Sequence, residues 1–544
     1  MSSTAPRAGA REWAGLAVLA LPVLLLALDN SVLFLAAPHL GADLRPSATQ
    51  LLWIMDVYGF MVAGFMITMG TLGDRIGRRR LLLTGAAAFA GASVLAAYAA
   101  SPEMMIVARM LLGVTGATLG PSALALIGMM FADPRQRAMA FGIFTACFMG
   151  GAALGPVVGG VLLESFWWGS VFLLGVPVMA ILLVAGPLVL PEYRDTAAGR
   201  VDLASVGLSL AAIMPVIYGL KEIADEPARA VPYAAVVVGL AFGLWFVRRQ
   251  RSLETPLLDL ALFKGRGFAA ALAILLLTGI VQSGLYLFVS QYLQLVEGMA
   301  PLKAGLWLVP PTLALGVGSV LAPVVARRFR SSHVMGAGLG LAGAGLLAMA
   351  AADGLGLLMT GVVIGFFGTA PVSVFVFDLI VGAAPVEKAG SASAIAQTSG
   401  EFGIALGVAT LGSLGTAVYG SRIDVPGQVP AGARETAADS LSGAVEAAAD
   451  LPAAVAADLL RAAHAAFSDA LAAVSVTSAA LVLALAAVSL VALRSVALAG
   501  EDAGKKARGD AGETAEGDAG EKSGEDVPQP AAEAHPEKLA IPDA

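Results

Sequence analysis

Along this 544-residue chain, stretch after stretch of about twenty residues passes with one charge or none, the length a helix needs to cross ~30 Å of hydrocarbon. Such runs fall near 13–38, 50–70, 81–100, 104–131, 138–163, 167–190, 201–220, 231–247, 268–292, 302–326, 334–351, 356–382, 391–418 and 466–493, about fourteen in all. In lipid every backbone polar group must be satisfied internally, which leaves helices or closed barrels. These runs are too long and too uniformly apolar for barrel strands, so the expected fold class is an all-α polytopic membrane protein. Composition agrees: 58% of residues are hydrophobic and 13% charged, with a mean hydropathy of +0.82, where soluble domains carry about 25% charged residues. A soluble enzyme, a secreted disulfide scaffold and a nucleic-acid binder are excluded. The single Cys147 allows no intrachain disulfide, and His39, His333, His464 and His535 are too scattered to suggest a metal site.

The first run follows Arg7 and Arg11, but it exceeds a signal-peptide core and further spans come soon after it. Most of the 33 Lys and Arg fall in alternate connections, which makes those cytoplasmic and puts both termini inside. Arg109 is the basic residue this reading places within a span. The formal net charge of -7 arises entirely beyond Glu501, in a Gly/Ala/Asp/Glu/Lys tail with too little apolar surface to order itself. Basic clusters in matching inner loops, GDRIGRRR (73–80) and ARRFRSS (326–332), suggest two related halves. The expected organisation is a cytoplasmic N-terminus (1–11), a six-helix half (12–190), a linker with two additional helices (191–266), a second six-helix half (267–494) and a disordered acidic tail (495–544). Within the second half, an Ala-rich, partly amphipathic outer segment (419–465) suits a helical hairpin.

Three motifs stand out. GTLGDRIGRRR (70–80) combines Gly70, Gly73 and Gly77, which permit a tight turn, with Asp74 and with Arg75, Arg78, Arg79 and Arg80, which suit an anionic inner leaflet. Its plain alternative is a topogenic basic loop. In the fifth run Gly151, Gly155 and Gly159 lie four apart on one helix face, beside Pro156 and Gly160, a surface that lets a neighbour approach closely. RMLLGVTG places Arg109 before Gly113 and Gly116, where an arginine must be paired, hydrated or snorkelling outward.

Together these patterns resemble the inner-loop, antiporter and fourth-helix motifs of the major facilitator superfamily. LDNSVLFLAAP (28–38) is similar to the first-helix signature LDxTVVNVALP of its fourteen-helix drug:proton antiporters, with Phe34 replacing the usual Asn. The stretch 49–80 resembles the quaternary-ammonium-compound efflux pumps of that branch. The resemblance implies two six-helix halves plus two inserted helices, export by alternating access, and no cofactor beyond the proton motive force. It also implies gating roles for Gly70, Asp74, Arg75, Gly77 and Arg78, and a role for Arg109 in proton coupling.

Four carboxylates lie deep in runs: Asp29, Asp56, Asp378 and Glu401. Each would cost several kcal/mol if ionised in lipid, so each must meet water, a partner or a proton. A carboxylate that alternates between proton and cation would make proton entry and cation departure mutually exclusive. The plain alternative for each is a structural hydrogen bond. Trp53, Tyr58, Phe60, Gln282, Tyr286 and Phe377 are candidate cavity residues, the aromatics through cation–π contacts, though such residues more often pack. The implied partners are lipophilic cations, protons and the bilayer of the plasma membrane, with the protein a monomer and not an enzyme: no HExxH, GxSxG or paired intramembrane histidines are present. An alternative keeps the fold and makes the cargo an endogenous metabolite or antibiotic.

Overall fold

The computed structural model describes residues 8–192, 202–225, 229–253, 260, 262–382 and 389–492. The tail expected to be disordered, 495–544, lies outside the described residues, as does the side chain of Asp378. Among the described residues fourteen helices are long and apolar enough to cross a membrane, here spans 1 to 14: Ala10–Leu44, Ala48–Met66, Arg78–Ala97, Pro102–Met130, Met139–Ser165, Ser170–Val189, Ala204–Ile223, Ala230–Ser252, Gly267–Val296, Pro301–Ala326, Ser331–Ala350, Leu355–Phe377, Ile395–Arg422 and Ala453–Val491.

Local chemistry sets the ends that matter. The helix of span 2 starts on Ser47, whose hydroxyl accepts from the Gln50 amide while the Gln50 side chain accepts from the Ser47 N–H, a reciprocal cap. That helix continues past the apolar stretch to Ile76 and stops at Gly77, at φ 111°, a backbone conformation that side chains rarely adopt. Span 4 is two helices, Pro102–Gly116 and Leu119–Met130, separated at Ala117 and Thr118.

The pairing of spans repeats with an offset of eight. Span 1 packs on 5 as 9 packs on 13; 2 on 4 as 10 on 12; and 3 on 6 as 11 on 14. The halves meet in the same symmetric way, through 2 against 13, 5 against 10, and 1 against 9. Spans 7 and 8 break the repeat. They pack on each other, and span 7 docks onto both 2 and 13, so the inserted pair sits on a junction between the halves.

The described cross-half contacts cluster toward the outer side. Ser290 donates to the Phe34 carbonyl at 2.9 Å and the Gln294 amide to the Leu35 carbonyl at 3.0 Å. A Cβ on Gly305 would lie 2.2 Å from the Pro156 carbonyl, and one on Gly160 would lie 2.6 Å from the Leu302 Cα, so spans 5 and 10 touch backbone to backbone. The outer segment forms two short helices, Ala431–Asp439 and Leu441–Ala449, and span 14 starts well outside the apolar stretch. It ties down the outer ends of the first half: Asp439 accepts from the Ala48 N–H at 2.9 Å, and Glu446 meets Arg45 at 2.7 Å.

Candidate functional site

Gly113 brings spans 2 and 4 together, since a Cβ there would lie 2.5 Å from the Tyr58 carbonyl. One turn away, Arg109 is completely buried rather than snorkelling outward. Its guanidinium meets Asp29 at 2.9 Å, donates to the Ile54 carbonyl at 3.2 Å and lies 4.6 Å from the centre of the Tyr58 ring. Three kinds of partner thus satisfy one planar cation, the arrangement arginine suits best.

Asp56 has a different partner. Span 7 carries Ile213, Ile217 and Lys221 at intervals of four, one helix face, and Ile217 packs with Phe60, Ala405 and Ala409. That docking carries Lys221 inward to an ion pair with Asp56 at 2.7 Å, both side chains 0% exposed. Its ammonium also sits 4.0 Å from the centre of the Trp53 ring. Among the described residues, neither the Asp56 oxygens nor the Lys221 Nζ has a side-chain partner apart from the ion pair. Hydropathy ends the seventh span at residue 220 and assigns Lys221 to an outer connection. The helix in fact runs to Asp225 and makes Lys221 a second intramembrane cation. The interval of four from Ile213 was the available signal.

Glu401 enters from span 13 of the second half. A Cβ on Gly59 would lie 3.5 Å from its backbone carbonyl, and Tyr58 lies within electrostatic reach of Glu401, Asp29 and Arg109 alike. Glu401 has no hydrogen-bond or ion-pair partner among the described residues. Asp378 lies on the helix Leu355–Gly382, near its inner end.

The aromatic candidates divide. Trp53 and Tyr58 each carry a cation on the ring face. Phe60 is fully buried in the span 2, 7 and 13 junction, edge-on to Phe402 at 5.7 Å. Tyr286 packs edge-on to Phe34 at 5.1 Å, so the residue that departs from the first-helix signature fills a cross-half contact. Gln282 donates to the Thr369 hydroxyl at 2.8 Å inside the second half. Phe377 is exposed.

Of the inner-loop residues, Asp74 pairs with Arg78 across the Gly77 break, with Nε at 2.8 Å. Gly70 faces open space and contributes no close approach. Sequence reading missed Glu192, beyond the end of span 6. It meets Arg79 at 3.4 Å and Arg80 at 3.8 Å, and a Cβ on Gly77 would lie 2.5 Å from its carboxylate. Arg79 also donates to the Leu190 carbonyl at 3.0 Å. The loop is thereby clamped to the end of span 6.

The glycines of span 5 serve two neighbours. Gly151, Gly155 and Gly159 face span 1, where a Cβ would strike the Leu24 carbonyl, the Ser31 hydroxyl and Val32. Gly160 and the Pro156 carbonyl face span 10 of the other half.

Two pseudo-symmetric helical halves around buried ionisable side chains, with a seam of small residues between them, define a multi-pass membrane transporter. Residues 19–408 match the Major Facilitator Superfamily, and the chain belongs to that family. It is 44% identical to the multidrug efflux pump LfrA of Mycolicibacterium smegmatis, over 83% of this chain and 90% of that one. It is 34% identical to the methyl viologen resistance protein SmvA of Salmonella typhimurium (81% and 90%), and 34% identical to a tetracenomycin C resistance and export protein of Streptomyces glaucescens (74% and 76%). Among solved structures, a bacterial homologue of the lysosomal transporter Spinster superposes with a TM-score of 0.65 at 17% identity, covering 89% of this chain and 97% of that one. The likeness to that structure is one of fold. The protein is a cell-membrane transporter and not an enzyme.

Proposed function

We propose that this transporter exports lipophilic cations, quaternary ammonium compounds among them, in exchange for protons. The observation that carries the reading is the charge balance of the buried cluster. Asp29 and Asp56 are matched by Arg109 and Lys221, which leaves Glu401 as the member without a counter-charge. With Glu401 protonated the cluster is neutral. With Glu401 ionised it carries one negative charge, which a monovalent lipophilic cation neutralises. Proton and cargo then exclude each other through the charge balance of the cluster as a whole, and a membrane interior favours the neutral combination in either case. The name of one relative, a multidrug efflux pump, supports export, and that of another, a methyl viologen resistance protein, supports cationic cargo.

Alternation between the two sides uses the rest of the architecture. The outer seam of Gly160, Pro156 and Gly305 separates when the halves rock, while the Asp74–Arg78 pair and Glu192 hold the inner loop to the end of span 6 so that the first half moves as a unit. A second reading, export of a natural product, is favoured by the relative named for tetracenomycin C export. Ethidium efflux by everted vesicles tests the first. Glu401→Gln is expected to abolish efflux driven by a proton gradient, and Asp56→Asn and Asp29→Asn to reduce it severely. Full gradient-driven efflux by all three correctly inserted variants would reject the proposal.

A further inference from the structure

The Asp56 site already holds a cation of the kind the proposed cargo would present. An alkylammonium, the Lys221 side chain, is bound there by a carboxylate at 2.7 Å and an indole face at 4.0 Å. A carboxylate beside an aromatic face is the general recognition chemistry for ammonium ions. Lys221 belongs to neither six-helix half. Its helix, Leu203–Asp225, is one of the inserted pair, docked where spans 2 and 13 meet.

We propose that Lys221 is a tethered competitor: its ammonium fills the Asp56–Trp53 site when cargo is absent, and ammonium-bearing cargo binds by displacing it. Three features of the pair fit an exchangeable occupant better than a structural brace. Among the described residues neither carboxylate oxygen of Asp56 nor Nζ has a further side-chain partner, whereas Arg109 adds a backbone carbonyl from a neighbouring span to its carboxylate. A lysine ammonium is a point charge on a flexible four-carbon stem, with no fork to lock the carboxylate. Lys221 also lies only four residues before the helix end at Asp225, so the displaced head can swing toward the outer interface along its own stem. Exchange in place of simple addition avoids leaving Asp56 bare, and so avoids an uncompensated charge inside the bundle. Returning to Asp56, the lysine would also help expel cargo.

The inference rests on the proposed export of lipophilic cations and takes Asp56 as the residue that receives the cargo's charge while Glu401 exchanges the proton; equilibrium binding of ethidium to the purified full-length protein separates that reading of Asp56 from the competitor. At mildly alkaline pH, where proton competition is least, Lys221→Met is expected to tighten ethidium binding about tenfold, because the internal competitor is gone. Lys221→Arg is expected to weaken it about threefold to tenfold, because a guanidinium fork grips the carboxylate more firmly. Asp56→Asn should lose binding, alone or combined with Lys221→Met. Unchanged or weaker binding by a monodisperse Lys221→Met protein would overturn the competitor. Should that variant fail to fold, Lys221→Arg decides, and an affinity equal to or above wild type overturns the proposal. If Asp56→Asn binds and exports ethidium normally, the reading of Asp56 as a cation site falls. If Asp56→Asn loses binding while both lysine variants match wild type, only the competitor falls.

Discussion

Arg109 and Lys221 each neutralise a carboxylate in the first two spans, but their surroundings differ. Arg109 reaches Asp29, the Ile54 carbonyl and the Tyr58 ring, all from spans of one half. Among the described residues Lys221 reaches Asp56 and the Trp53 ring, and it arrives from an inserted helix that the repeat does not require. A buried ion pair offsets its desolvation only when geometry and further hydrogen bonds complete it. By that measure the Arg109 pair is a finished part of the first half, and the Lys221 pair is a poised contact. Difference in satisfaction, not in burial, separates a structural charge from an exchangeable one.

The largest effect expected from this comparison is at Arg109. Arg109→Met leaves Asp29 and the Ile54 carbonyl without their cation, a loss of about 3–5 kcal/mol for breaking one side of a buried pair. Thermal unfolding in detergent should show a strongly destabilised protein, with efflux lost. A variant as stable as wild type would remove the distinction between the two pairs.

Next comes the outer seam between the two halves. Gly305→Ala adds a Cβ that would lie 2.2 Å from the Pro156 carbonyl, a contact with rigid backbone on both sides. Overpacking of this kind costs about 1–3 kcal/mol, and here it acts on the outward-closed arrangement alone. Ethidium efflux should fall by about tenfold or more while the protein remains folded, and accessibility of an engineered Cys at position 53 to an external thiol reagent should rise. Unchanged efflux would mean that spans 5 and 10 need not touch.

Much of this molecule was legible in the linear chain. Fourteen spans, the basic inner loops, the small-residue face of the fifth run and four charges of the cluster, Asp29, Asp56, Arg109 and Glu401, are all local patterns in composition or spacing. Lys221 was not, because hydropathy averages over a window and a single lysine at the end of an apolar run reads as its boundary. Only docking of span 7 onto Phe60 and Ala405 turns it inward. Glu192 was missed for a related reason: its partners lie more than a hundred residues away in the chain, and nothing beside it marks the contact. The face of Gly151, Gly155 and Gly159 was legible from spacing alone and meets span 1; that Gly160 and Pro156, a quarter-turn and more away from it, meet span 10 of the other half was not, because the partner is distant in the chain.

A smaller effect measures the comparison directly. Double-mutant cycles on Asp29→Asn with Arg109→Met, and on Asp56→Asn with Lys221→Met, give the coupling within each pair. The first coupling should exceed the second by about 1–2 kcal/mol in unfolding experiments, since only it includes a fully satisfied partner. Equal couplings, or the reverse order, would show that additional partners do not set how tightly these carboxylates are held.

The smallest effect concerns what holds the helix of Lys221 in place. At its inner end Asp202 accepts from Arg249 at 2.9 Å and from Ser205, joining the two inserted helices. Desolvation acts to raise the Asp202 carboxyl, but the bonds from Arg249 and Ser205 outweigh it and hold the group below the usual carboxylate range. A lowered value means that the stabilisation is complete at neutral pH and is lost as pH falls through the lowered value. For so accessible a pair the contribution is about 0.5 kcal/mol. Asp202→Asn should therefore be slightly less stable than wild type at neutral pH, and the gap should close in acid. Ethidium affinity should not change, because the Asp202 contact lies at the opposite end of the helix from Lys221. An altered affinity would mean that Lys221 is delivered to Asp56 by the inserted pair as a rigid unit, and the looseness of that ion pair would then belong to the docking of spans 7 and 8 rather than to its own missing hydrogen bonds.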